Sequence, residues 1–172
     1  MKKTIFVLLF FLLFGCSVAR VPLIEKKYDD TVDISQLHTF AWKNARSNGT
    51  IDPRYDRALR TSVEDILAGK GYRQTNEAPD MWVDAVLGLE TKSVNIDGTY
   101  LKSNISTSKA QPITVHIDEG DISIVFSEAA SGKVIFRGLA ESEIDHSLSP
   151  AEREQRIENT VHQMLEDFPS RK

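Results

Sequence analysis

The sequence predicts an α+β fold: a two-layer sandwich with two amphipathic helices packed on one face of a mainly antiparallel sheet of four to five strands. Three observations point there. Two segments carry full helix-start signatures, Asp52-Pro53 and Ser149-Pro150-Ala151-Glu152, each ahead of an apolar stripe at helical spacing. Asp80–Lys92 instead alternates with period two, which is strand periodicity. Between the helices lie further short alternating runs bounded by Gly, Ser and Asp, the pattern of a meander. A chain of 172 residues, 41% hydrophobic and 27% charged, fits one ordinary globular domain plus a tail. A net charge of -4 leaves no broad electrostatic footprint for nucleic acid. A single cysteine excludes a disulfide framework and a Cys-based zinc cluster.

The N-terminus comes first. Lys2 and Lys3 precede an unbroken apolar run, Ile5 to Phe14. That run is too short for a bilayer core of ~30 Å, which takes about 20 helical residues, and has the length of a signal-peptide core. It ends in Leu13-Phe14-Gly15-Cys16, which resembles the lipobox of bacterial lipoproteins, although Phe14 is bulkier than usual there. The resemblance implies cleavage between Gly15 and Cys16 and acylation of Cys16. Ser17, where an Asp would favour inner-membrane retention, implies an outer-membrane anchor facing the periplasm. Three acyl chains hold far more firmly than the marginal single chain, at roughly 0.8 kcal/mol per buried methylene. The expected division is a signal peptide over 1–15, lipidated Cys and tether over 16–34, one α+β domain over 35–169, and a tail over 170–172. The tether reading rests on Lys26, Lys27, Asp29, Asp30 and Asp33 and on the absence of a sustained apolar period.

Leu37–Lys43 reads as the first strand, with Phe40 and Trp42 alternating with Thr39 and Ala41. In the first helix Asp52 caps, Pro53 takes the first position, and Tyr55, Leu59, Val63, Ile66 and Leu67 form the stripe. Gly69-Lys70-Gly71 stops it, with Gly71 left-handed. Tyr72–Asn76 is a short edge segment. In the long strand Asp80–Lys92, Met81, Val83, Ala85, Leu87 and Leu89 face one way, and Trp82, Asp84, Val86, Gly88 and Glu90 the other. Ser93–Pro112, rich in Ser, Thr and Asn, reads as an unusually long loop. Ile113–Asp118 and Ile122–Glu128 read as two strands about a Glu119-Gly120-Asp121 hairpin. Lys133–Ile144 is the last strand, with Val134, Phe136 and Ala140 on one side and Ile135, Arg137 and Leu139 on the other. The last helix has a Ser149/Glu152 capping box and a stripe of Ile157, Val161, Met164, Leu165 and Phe168, closed by Pro169.

This order of segments resembles the bacterial lipoprotein family catalogued as domain of unknown function 4136. The resemblance is carried by His38–Trp42, the Asp52-Pro53 helix, Ile66–Arg73, Ala78–Gly88, Gly120–Gly138 and Ala151–Pro169, and covers the chain from about Val32. It implies an envelope lipoprotein with helices on a sheet, and no catalytic residues. The loop Ser93–Pro112 departs from the Gly- and Tyr-rich loop often found in the family, so loop-based properties do not carry over.

No nucleophile elbow, phosphate loop or H-E-x-x-H motif occurs. Glu158 and His162 share a helix face as a surface pair. His116, with Asp118 and Asp84, is the one cross-strand acid/base group the strands suggest, and Asp118 and Asp121 read as turn residues. The expectation is therefore no enzyme, no metal and no cofactor. The stronger signal is the sheet face opposite the helices. Trp82, Val86, Val125, Ile135 and Leu139 stand there among Ser123, Ser127, His116 and Arg137, too apolar for a solvated face. The core face is assigned Val115, Ile117, Ile122, Ile124, Phe126, Val134 and Phe136 beside the odd positions of the long strand. The expected function is a non-enzymatic, lipid-anchored envelope module. It binds another envelope protein, or itself, through the second sheet face. The alternative is a binder of a hydrophobic small molecule or lipid, held at Trp82 and Val86 under the long loop.

Overall fold

The structure is a computed structural model that describes residues 21–29, 31–43, 51–96 and 113–171. The signal segment, the cleavage site at Gly15 and Cys16, and most of the long loop lie outside the described residues. Nine elements follow in order: β1 (Leu23–Tyr28), a 3-10 turn (Ile34–Gln36), β2 (Thr39–Trp42), α1 (Pro53–Gly69), β3 (Arg73–Gln74), β4 (Met81–Ile96), β5 (Ile113–Glu128), β6 (Val134–Glu143) and α2 (Pro150–Leu165). The strands form one sheet in the order β1-β6-β5-β4-β2-β3. β1, β6, β5 and β4 pair antiparallel, whereas β4, β2 and β3 pair parallel. The α+β class and the two packed helices are as expected. The sheet is mixed and six-stranded, not mainly antiparallel with four to five strands. One reason is α1, which links β2 to β3 and β4; strands joined through a helix come back parallel.

The other reason is β1, which lies inside the expected tether. Ile24, Lys26 and Tyr28 pair with Ala140, Gly138 and Phe136 on the helix side of the sheet. The apolar alternation is broken by Lys26, whose Nζ donates to Asp167 Oδ2 at 2.7 Å, beyond the end of α2. An inward Lys on an edge strand is a common guard against edge pairing, and its stem packs as hydrocarbon.

β5 is a single strand of 16 residues, paired with β4 from Ile96↔Ile113 to Met81↔Glu128. The expected hairpin at Glu119-Gly120-Asp121 is therefore not a turn. Gly88 pairs with Asp121 and Leu89 with Gly120. A Cβ at Gly88 would lie 1.9 Å from Asp121 Oδ1, so Gly88 makes room for the carboxylate crossing it. Because the strand is unbroken, the faces assigned to 113–118 are exchanged. Val115 and Ile117 share the outer face with Ser123 and Val125, while His116 and Asp118 turn to the helix side.

The helix ends follow the expected chemistry. Asp52 Oδ1 accepts from Arg54 N–H at 2.9 Å. Gly71 has φ +92°, Tyr72 N–H donates to Leu67 O and Gly71 N–H to Ala68 O, which is a Schellman closure. Ser149 and Glu152 complete both halves of a capping box. The core lies between the layers: Leu59, Val63 and Leu67 of α1 and Val161, Met164 and Leu165 of α2 meet Phe40, Met81, Val83, Ala85, Ile124, Phe126 and Phe136.

Candidate functional site

The two helices run with their C-termini together and their N-termini together. Lys70 Nζ donates to Glu166 O, and Arg171 N–H to Lys70 O, at one end. That end is filled. Phe168 sits edge-on to Phe126 (centroids 4.9 Å, 81°) and Phe136 (5.5 Å, 71°), with Tyr28 and Tyr72 around them. Tyr72 donates to Pro169 O at 3.0 Å, and burial, with Asp33 adding, pushes its phenol up to about 12. A methyl at Gly138 would meet Met164 Cε at 2.8 Å.

The opposite end is hollow. Between the N-terminal halves of α1 and α2 and the sheet lies a cavity of about 550 Å³. Ile51 and Tyr55 line it from the start of α1, Leu148, Arg153 and Ile157 from α2 and its approach, and Leu87, Leu89, Ile122, Ala140 and Ile144 from the sheet and its exit. Leu89 is 53% exposed there, against the expectation of a core position. Arg153 Nη2 donates to His146 O at 3.1 Å, while its Nε is buried with no hydrogen-bond partner.

Beyond the cavity β4 and β5 continue together: β6 pairs with β5 only from Glu119 on, and β2 with β4 only at Met81–Val83. On the helix side of this ribbon Thr91 donates to Asp118 Oδ1 (2.6 Å), His146 Nε2 meets Asp118 Oδ2 (2.9 Å), and Ser93 Oγ lies 3.1 Å from His116 Nδ1. The Thr91 bond, helped by His146, holds the Asp118 carboxyl below its ordinary range. The His116–Asp118–Asp84 group expected from the sequence is not assembled, because Asp84 lies on the other face. Glu158 and His162 are both exposed on α2. Among the described residues, no group of three or more His, Cys, Asp or Glu is placed to hold a metal ion. No described helix is long and apolar enough to cross a membrane.

The outer face of the sheet carries four of the five expected side chains. Trp82, Val86, Val125 and Leu139 are half-buried on it. Ser123 pairs with both Val86 and Leu139, and Val125 with Asp84 and Arg137, which sets these side chains in adjoining rows. Asp84 Oδ1 lies in this surface, buried and without a hydrogen-bond partner. Ile135 is the exception. The register slips after Phe126↔Phe136 to Ser127↔Val134, so Ile135 is the extra residue of a bulge. It is fully buried in the core cluster, and Val134, expected in the core, is exposed. Period-two reasoning carries no signal for a bulge. The cavity also escaped it, because it arises from how two helices sit over a sheet and not from a local pattern.

Comparison with known proteins gives a family and a fold. The model of the family described as "Domain of unknown function (DUF4136)" matches residues 24–170. None of the curated proteins matches. Among solved structures, a PDZ domain protein from Parabacteroides distasonis is similar with a TM-score of 0.55 and 13% identity. The match covers 87% of this chain and 36% of that one, so this chain spans about a third of its length. The PelC dodecamer from Paraburkholderia phytofirmans is similar with a TM-score of 0.54 and 7% identity, over 88% of this chain and 100% of that one. A DUF4136 family protein from Bacteroides thetaiotaomicron has a TM-score of 0.47 and 10% identity, over 84% and 94%. At these identities the likeness is one of fold alone.

Proposed function

The chain belongs to the DUF4136 family, and from that premise we propose that it is a non-enzymatic, lipid-anchored module of the cell envelope that docks a protein partner, or a second copy of itself, on the outer face of its sheet. The anchor in this reading is Cys16, freed by cleavage after Gly15, with an outer-membrane, periplasm-facing placement. The observation that carries the docking role is the surface around Asp84. Trp82, Val86, Val125 and Leu139 form an apolar surface on the face opposite the described helices, and it contains a buried carboxylate oxygen with no donor. A buried unpaired acceptor costs about 1–3 kcal/mol, and a partner that supplies an N–H or O–H there recovers it. Apolar contact around a few satisfied polar groups is the usual make-up of an interface centre.

A photo-crosslinking residue at Val86 of the full-length, membrane-anchored protein tests this in cells. The expected result is a discrete protein adduct that disappears when the probe moves to the inward position Leu87 and weakens in Asp84→Ala. Absence of any adduct from Val86, Val125 and Leu139 alike would overturn the docking role. Loss of membrane fractionation in Cys16→Ala tests the anchor separately.

A further inference from the structure

We propose that the cavity at the helix N-termini is a binding site for one long-chain carboxylate, a fatty-acid-like molecule whose hydrocarbon lies against Leu89, Ile144 and Ile157 and whose head pairs with Arg153. This goes beyond the docking role of the outer face and does not depend on it, since the cavity opens on the opposite side of the sheet.

The size comes first. A volume of about 550 Å³ falls inside the ~300–1,000 Å³ range of small-molecule sites. The walls are next. Ile51, Leu87, Leu89, Ile122, Ile144 and Ile157 present hydrocarbon from both layers, so the site rewards an extended apolar chain.

The head-group chemistry rests on charge complementarity. Of the five carboxylates that line the cavity, Asp52 pairs with Arg54 (2.7 Å), Asp118 with Thr91 and His146, Asp145 accepts from Ser147, Glu143 is also partnered, and Asp121 belongs to the outer face of the sheet. Arg153 is different. One of its nitrogens is satisfied by His146 O, yet Nε is a buried donor without an acceptor. A guanidinium cannot shed its charge, and its planar edge is shaped for two parallel bonds to a carboxylate. The cavity thus offers an apolar trough with the Arg153 guanidinium in its wall, one donor of which is unmet.

The test uses the full chain in isolated membranes and a palmitate analogue bearing a diazirine on its chain. After illumination, adducts are mapped by peptide mass. The expected result is saturable labelling on the peptides holding Leu89, Ile144 or Ile157. Unlabelled palmitate competes, and hexadecanol competes at least tenfold less well. Competition strengthens about fourfold per added methylene until the trough is full, the equivalent of ~0.8 kcal/mol per CH₂. Arg153→Leu weakens palmitate about tenfold and removes the preference over hexadecanol. Ile157→Trp, which fills the trough, abolishes labelling, and circular dichroism of both variants establishes that they fold. Non-saturable or scattered labelling overturns the proposal, as does equal competition by hexadecanol. Pro22 borders the cavity, and Cys16 stands six residues upstream, within a contour of roughly 20 Å. If labelling appears only in Cys16→Ser, the cavity holds the chain's own acyl group, and the free-carboxylate assignment is wrong.

Discussion

The two ends of the helix layer are built from the same two helices and the same sheet, yet one is packed solid and the other is hollow. At the C-terminal end Phe168 closes on Phe126 and Phe136, and a methyl at Gly138 would force the Met164 side chain to move. At the N-terminal end aliphatic side chains under a charged rim leave about 550 Å³ between them, with Leu89 half open to solvent. The difference teaches where stability and recognition are divided. Packed aromatics hold the domain together; unpacked aliphatics leave binding energy unused, available to whatever enters.

Substitutions at the two ends should expose this difference. Phe168→Ala removes the ring at the centre of the aromatic group, and its 1% exposure means that the cavity left behind stays dry. The expected loss is about 3–5 kcal/mol in a urea unfolding series. Ile157→Ala, in the wall of the existing cavity, should cost about 1 kcal/mol or less, because the packing it loses is already incomplete. Equal costs at both positions would erase the distinction between a full and a hollow end.

Two carboxylates, Asp80 at the start of β4 and Asp118 on β5 beyond the cavity, give a second, smaller contrast. Asp80, just before β4, accepts from His38 N–H, Thr39 N–H and Thr39 Oγ1 at 2.8–3.0 Å, tying β4 to β2. Burial raises its carboxyl, but these hydrogen bonds outweigh it and leave it below the ordinary 3.8. With the folded-state value depressed, the unfolded chain binds more protons between the two values. The contribution is therefore complete above the unfolded value and fades as pH falls through the folded one. Asp80→Asn should lower stability at pH 6 by about 1–3 kcal/mol and flatten the loss of stability below pH 4. Asp118, half-buried on the ribbon, is also held low, by Thr91 and His146. Asp118→Asn should move the unfolding midpoint at pH 6 very little, as surface hydrogen bonds and ion pairs do.

The smallest expected effect is a gain. Ile157→Phe adds atoms where there is space, so unfolding should shift by no more than about 1 kcal/mol, in the stabilising direction. The same swap in a packed position would strain its neighbours by about 1–3 kcal/mol.

Much of the helix layer was legible in the sequence. Asp52-Pro53, Gly71 and the Ser149/Glu152 box mark helix ends through backbone chemistry that acts locally, so residue type alone reveals them. The alternation of β4 reveals both faces of the sheet from Met81 to Leu87. What failed was non-local. Lys26 hides β1, because its inward placement depends on Asp167 far along the chain. Glu119-Gly120-Asp121 imitates a turn, because its place is set by pairing with Glu90, Leu89 and Gly88 across the strand pair. Ile135 changes sides through a bulge that only pairing with β5 creates. The cavity carries no local mark, since it is a property of the space between elements. Four outer-face residues, Trp82, Val86, Val125 and Leu139, were found because uninterrupted alternation in β4 and β5 suffices to place them.

Hydrogen exchange along α2 of the full chain, with and without palmitate below its aggregation limit, tests the contrast most directly. Palmitate is expected to slow exchange in the N-terminal half, from Arg153 to Ile157. Val161 to Leu165, already packed, should change little. Slowing spread evenly over the helix, or none at all, would contradict it.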